Sequence, residues 1–158
     1  MNAQDIIKAA EGLRLACYDD KTGAVLVAGA TAEGTPTIGF GHTGPEVVPG
    51  LVWTQAQADA AFVVDLAHAV DGALLAVGRS VWVLLNDARK AALTDAAFTL
   101  GATKLRGFHH MLLAVCRQEW LDAHDQCLAS KWGEEAPRRA LRDANMLLSG
   151  NWPQEAAP

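Results

Sequence analysis

The stretch EGLRLACYDD, from Glu11 to Asp20, has a glutamate at one end and a pair of aspartates at the other. A second stretch, TIGFGHTG from Thr37 to Gly44, follows after sixteen residues and is rich in glycine and small polar side chains. Strand-forming residues separated by glycines are typical of short antiparallel strands joined by turns. If the strand after Glu11 turns back, the glutamate and an aspartate can face each other.

A short helix is predicted before this segment. Apolar residues recur at helical spacing behind Asn2, which is a candidate N-cap. Gly12 suits the left-handed position that ends a helix, so Glu11 falls in the last turn. Residues 13–43 carry strand formers broken by glycine and proline, which predicts two or three antiparallel strands.

The longest predicted helix begins at Thr54, where Gln57 completes a capping box, and ends at about Gly78. The apolar stripe that we expect to face the core consists of Ala60, Val63, Val64, Ala67, Val70 and Leu74. Further helices are predicted at residues 91–100, with Asn86 as a cap, and at 108–117, 120–130 and 137–148.

These elements predict an α+β, mainly helical fold with two lobes. A small antiparallel β lobe would cover residues 12–53, and a helical lobe would combine residues 1–11 with 79–158. The helix over 54–78 would join them. At 158 residues and 51% hydrophobic content, the chain is long enough for one domain. A cleft between two such lobes is a natural place for a substrate.

Composition excludes several classes of function. A net charge of −5 argues against nucleic-acid binding, which usually needs a concentrated basic face. Cys17, Cys116 and Cys127 are at unrelated spacings, so we expect reduced thiols. No set of ligands has zinc spacing, so we expect neither a metal nor another cofactor.

The apolar segment 58–77 is interrupted by Asp59, Asp65 and Asp71, so we expect a core helix and no stable membrane insertion. The N-terminal residues 1–12 lack the basic and apolar regions of a signal peptide. We therefore expect the chain to remain in the cytoplasm of the cell that makes it until something releases it.

Glu11 is the first candidate for chemistry. A carboxylate in the last turn of a helix lies at the negative end of the helix dipole, which disfavours the charged form. A protonated glutamate is what general acid catalysis requires. The competing interpretation is a solvated residue at a helix end, and Asp19 and Asp20 could likewise be polar turn residues. Two carboxyl groups in unlike environments are nevertheless the minimum machinery of a glycosidase.

EGLRLACYDD followed by TIGFGHTG resembles the N-terminal signature of phage lysozymes of the T-even type, which form glycoside hydrolase family 24. Two later blocks are similar to the same family, in the same order: AFTLGATKLRGF at 97–108 and SKWGEEAPRRA at 130–140. The ending SGNW at 149–152 also fits. The blocks span nearly the whole chain, and the resemblance implies a lysozyme-like fold.

The resemblance implies that Glu11 is the catalytic acid, which donates a proton to the bond between N-acetylmuramic acid and N-acetylglucosamine. Asp20 would be the second carboxylate, because it keeps the family spacing and the context of Tyr18; Asp19 is the competitor. Thr37 would help Asp20 to hold the attacking water. The implied enzyme is an inverting muramidase, whose carboxyl groups are roughly 6.5–9.5 Å apart to admit that water.

The resemblance also implies roles outside this triad. Arg139 occupies the position of an arginine that pairs with the catalytic glutamate, and His42 and Asp65 occupy positions that form a structural pair. Gly39 and Gly41 would lie where the backbone approaches sugar or where no side chain fits. Weaker candidates for the groove wall, for which ordinary helix packing or surface polarity is an equal alternative, are Phe98, Gln126 and Ser130.

The chain departs from the shorter family members at residues 21–36, KTGAVLVAGATAEGTP, where we expect an extended inserted hairpin. The implied partners are peptidoglycan glycan strands and, for access to the wall, a membrane-permeabilising phage protein. We expect a monomer that acts in the periplasm after lysis begins. Two alternatives stay open: a lytic transglycosylase, and a wall-binding relative that has lost activity.

Overall fold

The computed structural model of the protein describes residues 1–154. Helix α1 (Ala3–Glu11) begins directly behind Asn2. Asp5 N–H donates to Asn2 Oδ1 at 3.0 Å, and Asn2 N–H donates to Asp5 Oδ2 at 2.8 Å. Gly12 then leaves the helix with φ 69°. The predicted helix and both of its ends are confirmed, and Glu11 is its last residue.

A two-stranded antiparallel sheet follows, as predicted. Strand β1 (Arg14–Asp19) pairs with strand β2 (Pro36–Gly39), with Tyr18 opposite Thr37. The pairing is irregular between Arg14 and Tyr18. This register places Thr37 beside the end of β1, next to the two aspartates.

The prediction of an extended hairpin between the strands is wrong. Residues 21–35 contain a single isolated bridge, from Val25 to Tyr18, and otherwise consist of turns and bends. Gly23 and Gly29 have left-handed φ values of 72° and 81°, which turn the chain before a ladder can form. The segment is instead held to β1 by single bonds, such as Leu26 N–H to Cys17 O at 2.8 Å.

Helix α2 (Gln55–Val77) has the predicted capping box: Thr54 N–H donates to Gln57 Oε1 at 2.8 Å, and Gln57 N–H donates to Thr54 Oγ1 at 3.3 Å. The predicted core stripe is wrong, because Val63 and Val64 are 60% and 52% exposed. The buried positions are Ala58, Phe62, Ala69, Gly72, Ala73 and Val77. Apolar residues of α2 occur on all of its faces, so periodicity alone does not select the buried face.

By length and composition, α2 passes the test for a membrane-crossing helix, with mean hydropathy 1.7 over its most apolar window. Only 28% of that window is buried, so α2 is less buried than we expected of a core helix. A single helix of this kind is weak evidence for a membrane span, because core helices of soluble proteins pass the same test.

The remaining helices are α3 (Arg79–Trp82), α4 (Asp87–Leu100), α5 (Ala102–Arg106), α6 (His109–Arg117), α7 (Trp120–Leu128), α8 (Lys131–Glu135) and α9 (Pro137–Ser149). The four longer ones were predicted, and Asn86 caps α4 by accepting from Arg89 N–H at 3.1 Å. The helices α3, α5 and α8 were not predicted, since four or five residues are too few to show a period.

Contacts divide the chain into two compact units. One unit is Ile7–Asp65, whose buried cluster is Cys17, Leu26, Ile38 and Val47. The other combines Met1–Ile6 with the chain from Leu66 onward, and its largest buried side chain is Trp132. Helix α2 crosses the division at Asp65. The lobe limits drawn from the sequence, 12–53, 54–78 and 79–158 with 1–11, stay a prediction.

Candidate active site

Glu11 is half-buried at the end of α1 and lies against Gly41. A Cβ added at Gly41 would be 3.1 Å from Glu11 Oε2, and the glycine has φ 83°. Gly39 has φ 69°, and a Cβ there would be 3.1 Å from the Trp53 ring. Both glycines therefore occupy positions where a side chain would displace a neighbour, and at Gly41 that neighbour is the candidate acid.

Asp19 is 2% exposed, and backbone donors surround its carboxylate. Oδ1 accepts from Lys21 N–H at 2.8 Å and Thr22 N–H at 3.2 Å, and Oδ2 accepts from Glu33 N–H at 2.5 Å. Gly34 N–H is 3.2 Å from both oxygens. Burial alone would raise the pKa of Asp19, but these donors lower it to a net value below the ordinary one. The carboxylate is therefore charged, enclosed and occupied.

Asp20, by contrast, is exposed. Its Oδ1 accepts from Thr35 N–H at 2.6 Å, and its own N–H donates to Thr35 O at 3.2 Å. One oxygen is thus oriented by the backbone while the side chain remains open to solvent. Asp20, which the family resemblance favours over Asp19, is therefore the aspartate whose side chain is accessible to a water.

Thr37 is 4% exposed, and its hydroxyl donates to Thr35 O at 2.9 Å. A hydroxyl has one proton and two acceptor lone pairs. Because the hydroxyl proton is donated in the hydrogen bond to the Thr35 carbonyl, the Thr37 oxygen can accept a hydrogen bond, for example from a water. The insertion does not separate Thr37 from Asp20, since both side chains bond to the peptide groups of Thr35.

Tyr18 lies in the electrostatic field of both candidate carboxylates. Burial raises the pKa of Tyr18, the Arg14 guanidinium lowers it, and the charges of Glu11 and Asp20 raise it further, with a net upward shift. The Arg14 guanidinium stacks 3.9 Å from the centre of the Tyr18 ring, and its Nη2 donates to Gly23 O at 2.8 Å. Tyr18 therefore lies near enough to both carboxylates for their charges to raise its pKa.

His42 links the turn after β2 to α2 within the same unit. Its Nδ1 lies 2.7 Å from Asp65 Oδ2, and its Nε2 lies 2.7 Å from Glu46 Oε1. The ring is also 5.2 Å from Trp53, centre to centre. Glu46 was not anticipated. Burial lowers the pKa of His42, but hydrogen bonds to Glu46 and Asp65 outweigh burial, and the net pKa is raised.

Arg139 forms a two-pronged ion pair with Asp95 on α4: Nε to Oδ2 is 2.8 Å and Nη2 to Oδ1 is 2.6 Å. Arg142 contacts the same carboxylate and also donates to Asp143 Oδ1 at 2.7 Å. Asp95 is fully buried, and sequence reasoning missed it. The available signal was a lone aspartate inside the apolar run of α4, which an ion pair must compensate.

The weaker candidates for the groove wall are not all brought together. Gln126 and Ser130 line one pocket with residues 107–111 and Ala129, but Phe98 is not among its lining residues. Ser130 also caps α8, because its Oγ accepts from Gly133 N–H at 3.4 Å and donates to Cys127 O at 2.6 Å. Across residues 1–154, histidine, cysteine and carboxylate side chains form no cluster of metal-binding size.

Two comparisons with known proteins bear on this arrangement. The model of the phage lysozyme family matches residues 8–142, which include Glu11, Asp20, Thr37 and Arg139. The chain is also similar to the pre-baseplate central spike protein Gp5 of Enterobacteria phage T4, with 29% identity over 181 residues. That alignment covers 96% of this chain and 28% of the spike protein, so the chain spans well under half of that relative. The family model covers most of the chain, and the chain therefore belongs to the phage lysozyme family.

Proposed function

We propose that the chain is a muramidase, which hydrolyses the β-1,4 bond between N-acetylmuramic acid and N-acetylglucosamine in bacterial peptidoglycan with inversion at the anomeric carbon. The observation that carries the proposal is the shared use of Thr35: its N–H donates to the exposed Asp20, and its C=O accepts a hydrogen bond from the Thr37 hydroxyl. Both side chains belong to the unit that also contains Glu11. Membership in the phage lysozyme family supports the same activity.

The proposed reaction uses each group once. Glu11 donates its proton to the glycosidic oxygen as the bond to the anomeric carbon breaks. A water donates one hydrogen bond to Asp20 and the other to the Thr37 oxygen, and its lone pair attacks the anomeric carbon from the opposite face. Asp20 takes the proton that the water loses. The charge of the carboxylate pair is unchanged overall, because Glu11 loses the proton that Asp20 gains.

Product chemistry tests the proposal. Mass spectrometry of digested peptidoglycan should show reducing muramic acid ends, and NMR at early times should show the α-anomer. We expect Glu11→Gln and Asp20→Asn to lower kcat by about 100-fold or more. Asp71 is an exposed carboxylate on α2, and the control variant Asp71→Asn should leave kcat unchanged. Anhydro-muramic ends would instead assign a lytic transglycosylase, and binding to the wall without cleavage would assign an inactive relative.

Two biological settings fit this activity. In the first, the chain acts as a monomer on glycan strands during host lysis: it accumulates in the host cytoplasm, and a separate membrane-permeabilising phage protein gives it access to the wall. In the second, it belongs to the virion, which the likeness to a baseplate spike protein favours. Immunodetection in purified virions distinguishes the settings. The substrate contacts assigned to Gly39, Gly41, Phe98, Gln126, Ser130 and Arg139 stay predictions in both.

A further inference from the structure

We propose that Asp19 is a positioning residue, which touches no substrate but sets the geometry of Asp20 and Thr37 by holding the end of the insertion. The inference rests on the proposed muramidase reaction, in which Asp20 and Thr37 orient the attacking water. It assigns a task to a buried carboxylate that the reaction itself does not use.

Asp19 binds both ends of the insertion, residues 21–36. Its carboxylate accepts from Lys21 and Thr22, where the insertion begins, and from Glu33 and Gly34, where it ends. A further bond runs from Gly23 N–H to the backbone carbonyl of Asp19 at 2.8 Å. Residues far apart along the chain are thereby tied to one buried charge, and the position of Gly34 is fixed against the end of β1.

Gly34 is connected to the candidate catalytic groups through the next residue. Thr35 follows directly, and its peptide groups bond to Asp20 at 2.6 Å and to the Thr37 hydroxyl at 2.9 Å. A displacement of Gly34 therefore displaces the group from which both side chains take their orientation. Val27, near the middle of the insertion, is by contrast 67% exposed.

The space around Gly34 is an independent sign of this coupling. A Cβ at Gly34 would lie 2.9 Å from Asp19 Oδ1 and 2.7 Å from Lys21 Cβ, and closer still to Asp20 Oδ1. Contacts under about 3 Å force a displacement, and here the displaced atoms include both aspartate carboxylates. Glycine at this position is thus a steric requirement of the aspartate pair. It is not a requirement for a left-handed backbone, because Gly34 has no positive φ.

Asp19→Asn would break the arrangement while keeping the size of the side chain. All the groups around the carboxylate are N–H donors, three facing Oδ1 and two facing Oδ2. In either orientation of the amide, its NH2 would oppose at least two of them. Repulsion would release residues 33–34, and Thr35 would no longer be held. Misplacement of about 1 Å is enough to cost roughly 100-fold in rate.

The test measures kcat and KM separately, on solubilised glycan strands, for the wild type, Asp19→Asn, Gly34→Ala and the control Val27→Ala. Thermal unfolding of each variant sets an assay temperature at which all are folded. We expect Asp19→Asn and Gly34→Ala to lower kcat by roughly 10- to 100-fold with KM within about threefold of the wild type, because substrate contacts are intact. Val27→Ala should match the wild type.

A folded Asp19→Asn that keeps wild-type kcat would overturn the inference, and would leave Asp19 with a stabilising role only. If this variant does not fold, Glu33→Pro decides in the same way, since it removes the N–H that donates to Asp19 Oδ2 at 2.5 Å and leaves Asp20 itself unchanged. The proposed muramidase function fails differently: the wild type itself would then produce no reducing ends.

Discussion

Gly41 lies against Glu11, the proposed catalytic acid, at a position where a side chain would displace the Glu11 carboxylate. Its φ of 83° would strain any other residue, and a Cβ would be 3.1 Å from Glu11 Oε2. Gly78 has φ 81° and nothing within 4 Å of its added Cβ. The two glycines therefore share backbone strain, which costs about 1–2 kcal/mol on substitution, and differ in the contact with the carboxylate.

We expect Gly41→Ala and Gly78→Ala to lower the melting temperature by similar amounts, but only Gly41→Ala to lower kcat, by roughly tenfold. Calorimetry and the glycan-strand assay measure the two effects. Equal activity in both variants would show that the Glu11 carboxylate tolerates displacement.

Buried ion pairs connect helices α4 and α9. Asp95 is fully buried on α4, and Arg139 and Arg142 reach it from α9. Burial raises the pKa of Asp143, and the Asp95 charge beside it raises that pKa further, well above the ordinary value. The pKa of Asp95 is lowered, because its arginine partners outweigh burial. The surroundings therefore favour the charge of Asp95 and oppose that of Asp143.

We expect substitutions of Asp95 and Asp143 to destabilise the protein by unequal amounts. Asp95→Asn should cost about 3–5 kcal/mol in the free energy of unfolding, because it removes the buried negative charge that Arg139 and Arg142 share. Asp143→Asn should cost far less, since burial and the neighbouring Asp95 oppose the charge that this substitution removes. Urea denaturation at neutral pH measures both variants, and equal losses would contradict the assignment of charge.

The element boundaries follow signals within a few residues of each end. Asn2, Thr54, Asn86 and Pro137 begin α1, α2, α4 and α9 where the sequence predicts. The buried face of α2 could not be predicted in this way. Phe62 is 1% exposed because its ring packs 5.3 Å from Phe40, and no local pattern marks it over its neighbour Val63, which is 60% exposed.

Across the molecule, titrating groups make stability depend on pH. His42 stabilises the folded state at low pH, and this stabilisation is lost as the pH rises. Its pKa is raised in the folded state, so the folded state binds a proton that the unfolded state has already released. The stabilisation is complete below the unfolded pKa of about 6.5 and is lost as pH rises through the folded pKa.

We therefore expect the difference in melting temperature between the wild type and His42→Gln to shrink as the pH rises from 6 toward and past the folded pKa. Taking this difference removes the contributions of the other titrating groups, which the two proteins share. Thermal unfolding at several pH values, at constant ionic strength, measures it. A difference that stays constant with pH would show that His42 is not held as a cation by Glu46 and Asp65.

The sequence by itself determined the helices with strong caps, the order of the elements and the spacing of Glu11, Asp20 and Thr37. These depend on contacts between residues close together along the chain, or on positions that can be counted. Only the tertiary structure decided that Asp19 is enclosed while Asp20 is open, that residues 21–35 are not a hairpin, and that Asp95 holds Arg139. The reason is that burial and hydrogen-bond saturation arise between residues far apart in sequence: Asp19 is enclosed by Glu33 and Gly34, and Arg139 meets a carboxylate from a different helix.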